Sequence, residues 1–217
     1  MGGAGAFARE VIPFLEHEIE RNRQSIDEII FVVEDQFLSL GSPPITSFPS
    51  KTIGLSELKT VNSKNEYFSL AIADNRTRVR LARIFLELGL IPYPIAAEHS
   101  LIYEDSSISP GAILCSNSTV SSRAIVGSFF QLGFGSYLAH DCVVGDFVTI
   151  GPNSTICGNV HIEDEVQIGA GVVVKPGSAY KPIRIGKGSI IGAGATVTKS
   201  VEVGAIMIGN PARRKYR

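Results

Sequence analysis

His140 and Asp141 stand side by side, and Gly158 follows 18 residues after the histidine. A histidine with a carboxylate beside it can have its orientation and proton affinity tuned to take a proton near neutral pH. A glycine amide has no side chain to shield it and can be aimed at a carbonyl oxygen that gains negative charge. Together the three residues suit acyl transfer, with a base for the nucleophile and a donor for the oxyanion. On their own they also fit an exposed histidine–aspartate pair with no task. His17 and His99 read as surface residues, and His161 falls near a corner of the repeat described below. His140 and His161 occupy different repeat positions, so no metal held by converging histidines is expected. Cys115, Cys142 and Cys157 are odd in number and match no metal spacing. Cys142 takes a small inward position and reads as core filler.

A second stretch with chemistry in it is GGAGA at 2–6, which leads into a helical pattern from Phe7 to about Arg21. Free N–H groups and a helix dipole at such a loop suit phosphate. The loop should follow a strand, and only Met1 stands before it. A strand with its lead-in, roughly six to ten residues, is therefore expected upstream. The rival expectation is a truncated sheet in which another segment covers the edge.

The element that must carry His140 is a repeat. An aliphatic residue returns at every sixth position through Ile102, Ile108, Leu114, Val120, Val126, Leu132, Leu138, Val144, Ile150, Ile156, Ile162, Ile168 and Val174. After one break it resumes at Ile185, Ile191, Val197 and Val203. The residue four places later is mostly small or β-branched, as at Ser118, Ala124, Ser136, Cys142 and Ser154. A period of six fits neither a helix nor an ordinary strand. It fits a short strand plus a turn, stacked as a parallel β-helix. The aliphatics fill a narrow prism, and the small residues sit inward at its corners. Phe130 breaks the small-residue rule, and a local bulge is expected there. Three hexapeptides complete one coil, so Gly158 stacks one coil beyond His140, whose side chain points outward.

Residues 1–94 have a different texture. A buried strand is expected at 27–33 (DEIIFVV), followed by the acidic pair Glu34 and Asp35. Residues 36–54 read as a proline-containing loop, 55–60 as a short helix, 67–73 (YFSLAIA) as a second buried strand and 75–88 as a helix. Alternating strands and helices imply a small parallel α/β domain. Pro92 and Pro94 mark its end, which gives domains at 1–94 and 95–217. The 44% apolar content is ample for a core, and a net charge of −1 gives no basis for a nucleic-acid surface. No apolar run approaches a membrane span, and a reducing cytoplasmic setting is expected.

The chain resembles the hexapeptide-repeat, left-handed β-helix sugar acyltransferases. The resemblance is to the group that includes nucleotide-linked amino-sugar N-acetyltransferases and sialic acid O-acetyltransferases. It rests on GGAGAFAREV at the start, AIADNRTR at 71–78, LAHDCVVGDFVTIGP at 138–152, CGNVHIEDEVQIGAG at 157–171, IGKGSIIGAGATVTKSV at 185–201 and GNPARR at 209–214. The resemblance implies a Rossmann-like α/β domain that lacks its first strand, followed by a left-handed β-helix. It implies a homotrimer with acetyl-CoA as cosubstrate in a groove between neighbouring chains, and no metal. His140 matches the general base, Asp141 the acidic neighbour that raises its basicity, and Gly158 the residue whose amide meets the thioester carbonyl. Ala170 and Ala193 match coenzyme contacts made through backbone, and Thr149 stands where some members carry a histidine near the acetyl group. Gly5, Ala6 and Phe7 match the sugar-nucleotide loop, Glu34 and Asp35 the acidic pair that recognises the base, and Asp74 and Asn75 the segment after the third family strand. An insertion between Val174 and Ile185 adds about five residues and suits an external loop overhanging the coenzyme groove. The function expected is N-acetylation of a nucleotide-linked amino sugar, of the 4-amino-4,6-dideoxy type, for surface glycan synthesis. The alternatives are sugar O-acetylation and a non-catalytic β-helical assembly module.

Overall fold

The computed structural model describes residues 1–21, 26–39, 45–60 and 66–215, and the chain divides into two compact units, Met1–Glu98 and His99–Arg217.

The first unit is a small parallel sheet with helices. The amphipathic helix α1 (Ala6–Arg21) buries Ala8, Val11, Ile12 and Ile19. Strand β1 (Ile29–Val33) pairs in parallel with β2 (Ser50–Gly54). The strand at Ser50–Gly54 corrects the expected loop over 36–54, of which positions 40–44 lie outside the described residues. β2 shows little hydrophobic signal because its first two residues are exposed at the sheet edge, and only Ile53 and Gly54 are buried. The short strand β3 (Tyr67–Phe68) pairs in parallel with β4 (Ile91–Pro92), and α3 (Asn75–Glu87) packs Phe85 edge-on against Phe68 at 5.1 Å. The short helix α2 (Leu55–Leu58) lies between β2 and β3 in the chain.

Gly2 bridges Val32 on one side and Leu70 on the other, both in parallel. The central position of the sheet is thus occupied by Met1–Gly3, through Gly2 N–H to Ser69 O, Gly3 N–H to Val32 O and Val32 N–H to Met1 O. These bonds satisfy backbone groups that would otherwise be buried without partners. Beside Met1, between Ile29–Ile30 and Tyr67–Ser69, lies a cavity of 580 Å³.

The second unit is a three-sided parallel β-helix. One side stacks the strands Tyr137–Leu138, Thr155–Ile156 and Val173–Val174. A second stacks Ile125–Val126, Val143–Val144 and Val160–Ile162. The third stacks Gln131–Leu132, Thr149–Ile150 and Gln167–Ile168. Partners lie 18 residues apart, as in Tyr137↔Thr155, until the insertion lengthens the spacing to 23, as in Val173↔Thr196. The inward aliphatics from Leu114 to Val197 are buried. The two ends depart from the series: Ile102 and Val203 are exposed, and near the second end Val201 is buried instead and bridges Ile185.

Corner positions take small residues for a chemical as well as a steric reason. Ser136 Oγ donates to Gly151 O at 2.8 Å and accepts from Ser154 N–H at 3.1 Å, and Ser154 Oγ repeats the pattern with Gly169 O and Val172 N–H. No bulge occurs at Phe130. Its ring is fully buried, and Gln131 keeps the 18-residue register with both Ile113 and Thr149. Ala112 precedes Phe130 by one coil in the same corner column, and this small neighbour is consistent with a regular wall around the ring. His161 lies within the strand Val160–Ile162 rather than at a corner. Cys142 is buried, its Sγ donating to Cys157 O at 3.3 Å, and burial pushes its thiol up to about 11. Alkylation of the folded protein at pH 8 should leave Cys142 unmodified, which peptide mass spectrometry checks.

Candidate active site

The turn between Tyr137–Leu138 and Val143–Val144 presents His140 at an edge of the prism, with its side chain 55% exposed. Asp141 sits at the left-handed position of that turn, φ 59°, a conformation that Asp and Asn tolerate better than most residues. This brings its Oδ2 to 2.6 Å from His140 Nδ1. An ionised carboxylate can only accept, so Nδ1 must carry the proton and Nε2 is left as the acceptor in the neutral ring. Arg123 grips the same carboxylate, Nε to Oδ1 at 2.7 Å and Nη2 to Oδ2 at 2.9 Å. The Arg123 fork, and after it the His140 contact, hold the Asp141 carboxyl well below the usual carboxylate range.

Gly158 lies against the His140 ring, as the 18-residue coil requires. A methyl group built on its Cα would fall 2.5 Å from His140 Cε1 and 2.6 Å from Nε2. His140, Asp141 and Gly158 are therefore brought together. Thr149, Ala170 and Ala193 are not brought to them within one chain. Thr149 stands on the third side of the prism, and Ala170 and Ala193 occupy the corner between that side and the one carrying Tyr137. The insertion springs from the same corner as His140 and Gly158, closed by a small Ser178–Lys181 bridge with Tyr180 fully exposed at its tip. Its root is fixed by Gly177 N–H, which donates to Gly158 O at 3.0 Å.

In the first unit a cavity of 470 Å³ is lined by Gly5, Ala6, Phe7, Glu34, Phe37 and Thr77 among others. The glycine loop and Glu34 thus share one site. Glu34 is ion-paired with Arg80 and accepts from Gln36 at 3.2 Å. Asp35, Asp74 and Asn75 do not line the cavity. Asp35 accepts from the hydroxyl of Ser56 at 2.7 Å and from its N–H at 3.2 Å, bonds that lower its proton affinity. Asp74 caps α3 by accepting from Thr77 N–H at 2.8 Å, again with lowered proton affinity. Asn75 is buried at the start of α3. Arg78, in the same motif, is fully buried and donates to Ile72 O at 2.8 Å, which pins the segment beside the cavity. The only sequence signal for it is the RTR run within AIADNRTR. Among the described residues no group of three His, Cys, Asp or Glu is placed to hold a metal.

Comparison with known proteins decides the family. Residues 141–176 match the family model of the bacterial transferase hexapeptide (six repeats), and residues 182–205 match the hexapeptide repeat of succinyl-transferase. The chain is 37% identical over 215 residues to GDP-perosamine N-acetyltransferase of Escherichia coli O157:H7, covering 99% of this chain and 95% of that protein. The chain belongs to the hexapeptide-repeat sugar acyltransferases. It is an acetyltransferase in which an α/β unit is followed along the chain by a left-handed β-helix. The structure of WeeI from Acinetobacter baumannii AYE superimposes with a TM-score of 0.88 at 32% identity, over 99% of this chain and 97% of that one. The same fold is found in PerB from Caulobacter crescentus, solved with CoA and GDP-perosamine, at a TM-score of 0.81 and 22% identity over 99% of this chain and 95% of that one.

Proposed function

We propose that this acetyltransferase moves the acetyl group of acetyl-CoA onto the amino group of a nucleotide-linked amino sugar. The observation that carries the reading is the His140 ring, oriented through Nδ1 by Asp141 and seated against Gly158. The sugar amine attacks the thioester carbonyl and forms a C–N bond. Nε2 of His140 takes the proton released by the nitrogen. The Gly158 amide steadies the oxyanion, the C–S bond breaks, and the proton held by His140 passes to the departing thiolate. The glycine-loop cavity takes the nucleotide, with phosphate toward the start of α1 and the base toward Glu34.

The placement of Ala170, Ala193 and Thr149 away from His140 supports a site built by two copies. One chain gives His140, Asp141 and Gly158, and its neighbour gives the backbone at Ala170 and Ala193. A cyclic trimer supplies three equivalent sites of this kind. Light scattering should show a trimer, and a fully active monomer at assay concentration would refute the shared site. The reaction is tested by incubating the protein with acetyl-CoA and nucleotide-linked amino sugars, free amino sugars and free sialic acid. N-acetylation confined to the nucleotide-linked amines is expected. O-acetylation of the free sugars alone would overturn the reading.

A further inference from the structure

The turn column that holds Asp141 runs through Asp105, Arg123, Asp141 and Asn159 at intervals of 18 residues. Arg123 and Asp141 both hold the left-handed conformation, φ 55° and 59°, so their side chains leave neighbouring coils from equivalent turns. The guanidinium makes a two-point fork on the carboxylate, at 2.7 and 2.9 Å. One of the oxygens it grips, Oδ2, is the oxygen that meets His140 Nδ1. The turn behind Arg123 is itself tied down. Asp141 N–H donates to Ser122 O at 3.1 Å, and Ser122 Oγ donates to Asp105 Oδ2 at 2.6 Å.

We propose that Arg123 is a positioning residue for the base, fixing the Asp141 carboxylate so that Oδ2 stays on Nδ1 and Nε2 stays free to accept. The inference rests on the reading of His140 as that base. A single contact from His140 leaves the carboxylate free to turn about its side-chain bonds. A bidentate fork removes that freedom, which a point-charge ammonium cannot do. The Arg123 side chain is 67% exposed in the single chain, and the fork on Asp141 is its strongest contact there.

The test is steady-state kinetics on Arg123→Ala, Arg123→Lys, Asp141→Asn and the double variant Arg123→Ala/Asp141→Asn, with His140→Ala alongside. Arg123→Ala should lower kcat about tenfold, a geometric loss smaller than that of the base itself. KM for both substrates should stay unchanged, because the residue acts on the base rather than on binding. Arg123→Lys should recover little of the loss while keeping the charge and the fold. The double variant should be no slower than Asp141→Asn, since a residue that acts only through Asp141 has nothing left to hold. Wild-type kcat in Arg123→Ala with an inactive His140→Ala overturns this inference alone. Full multiplication of the two losses in the double variant also overturns it. An active His140→Ala removes the base reading and this inference with it.

Discussion

Replacing His140 with alanine should lower kcat by about a hundredfold or more, the usual loss when a general base is removed. The fold should not change. The ring stands outside the prism, more than half exposed, whereas Leu138 and Cys142 are buried inside it. The strand registers on either side, Leu138↔Ile156 and Val144↔Ile162, do not depend on the imidazole. KM for the nucleotide-linked sugar should move little, because the cavity in the first unit and the backbone around Ala170 and Ala193 are untouched. The measurement is kcat and KM of wild type and variant, with circular dichroism melts as the control. Near-normal turnover in a well-folded His140→Ala would remove the assignment.

How much of this could be read from the chain depends on how local the cause is. The prism was legible because a six-residue period turns the aliphatics from Leu114 to Val197 inward, and the 18-residue coil then places Gly158 on His140 without further information. The same counting reaches Arg123 from Asp141 in the opposite direction. An arginine in a turn, however, carries no chemistry until its partner's side chain is seen. Phe130 departs from expectation for a related reason: its size is visible in the sequence, but its accommodation depends on the corner column one coil away. In the first unit the acidic pair was legible only as a pair. Glu34 lines the cavity, whereas Asp35 is drawn off by Ser56, a residue 21 positions away that joins it through the β1–β2 pairing. Asp74 shows the commonest competing use of an acid before a helix, a cap on a free N–H. The first strand was expected to be absent, and in the structure three residues, Met1–Gly3, hold its place by pairing on both sides.

Gly158→Ala should be nearly silent for the fold and severe for the reaction. The backbone at Gly158 is not in the left-handed region, so alanine can adopt it without torsional strain. What the added methyl meets is the His140 ring, at 2.5 Å from Cε1, 2.6 Å from Nε2 and 3.0 Å from Nδ1. No contact that close survives, so the ring must swing away. It is free to do so, because its outer face is solvent, and the melting temperature should therefore change little. Swinging away breaks the contact with Asp141 and carries Nε2 from the place proposed for deprotonation of the amine. The methyl also crowds the amide proposed to meet the oxyanion. Each of these effects alone costs about a hundredfold when it fails completely, and kcat should fall by at least about that factor. His140→Ala/Gly158→Ala separates the two effects. If the glycine matters only by making room for the ring, the double variant should match His140→Ala. If its amide also serves the oxyanion, the double variant should be slower still. A Gly158→Ala protein with wild-type kcat would show that the ring does not need this seat, and the stacked arrangement would then have no part in the chemistry.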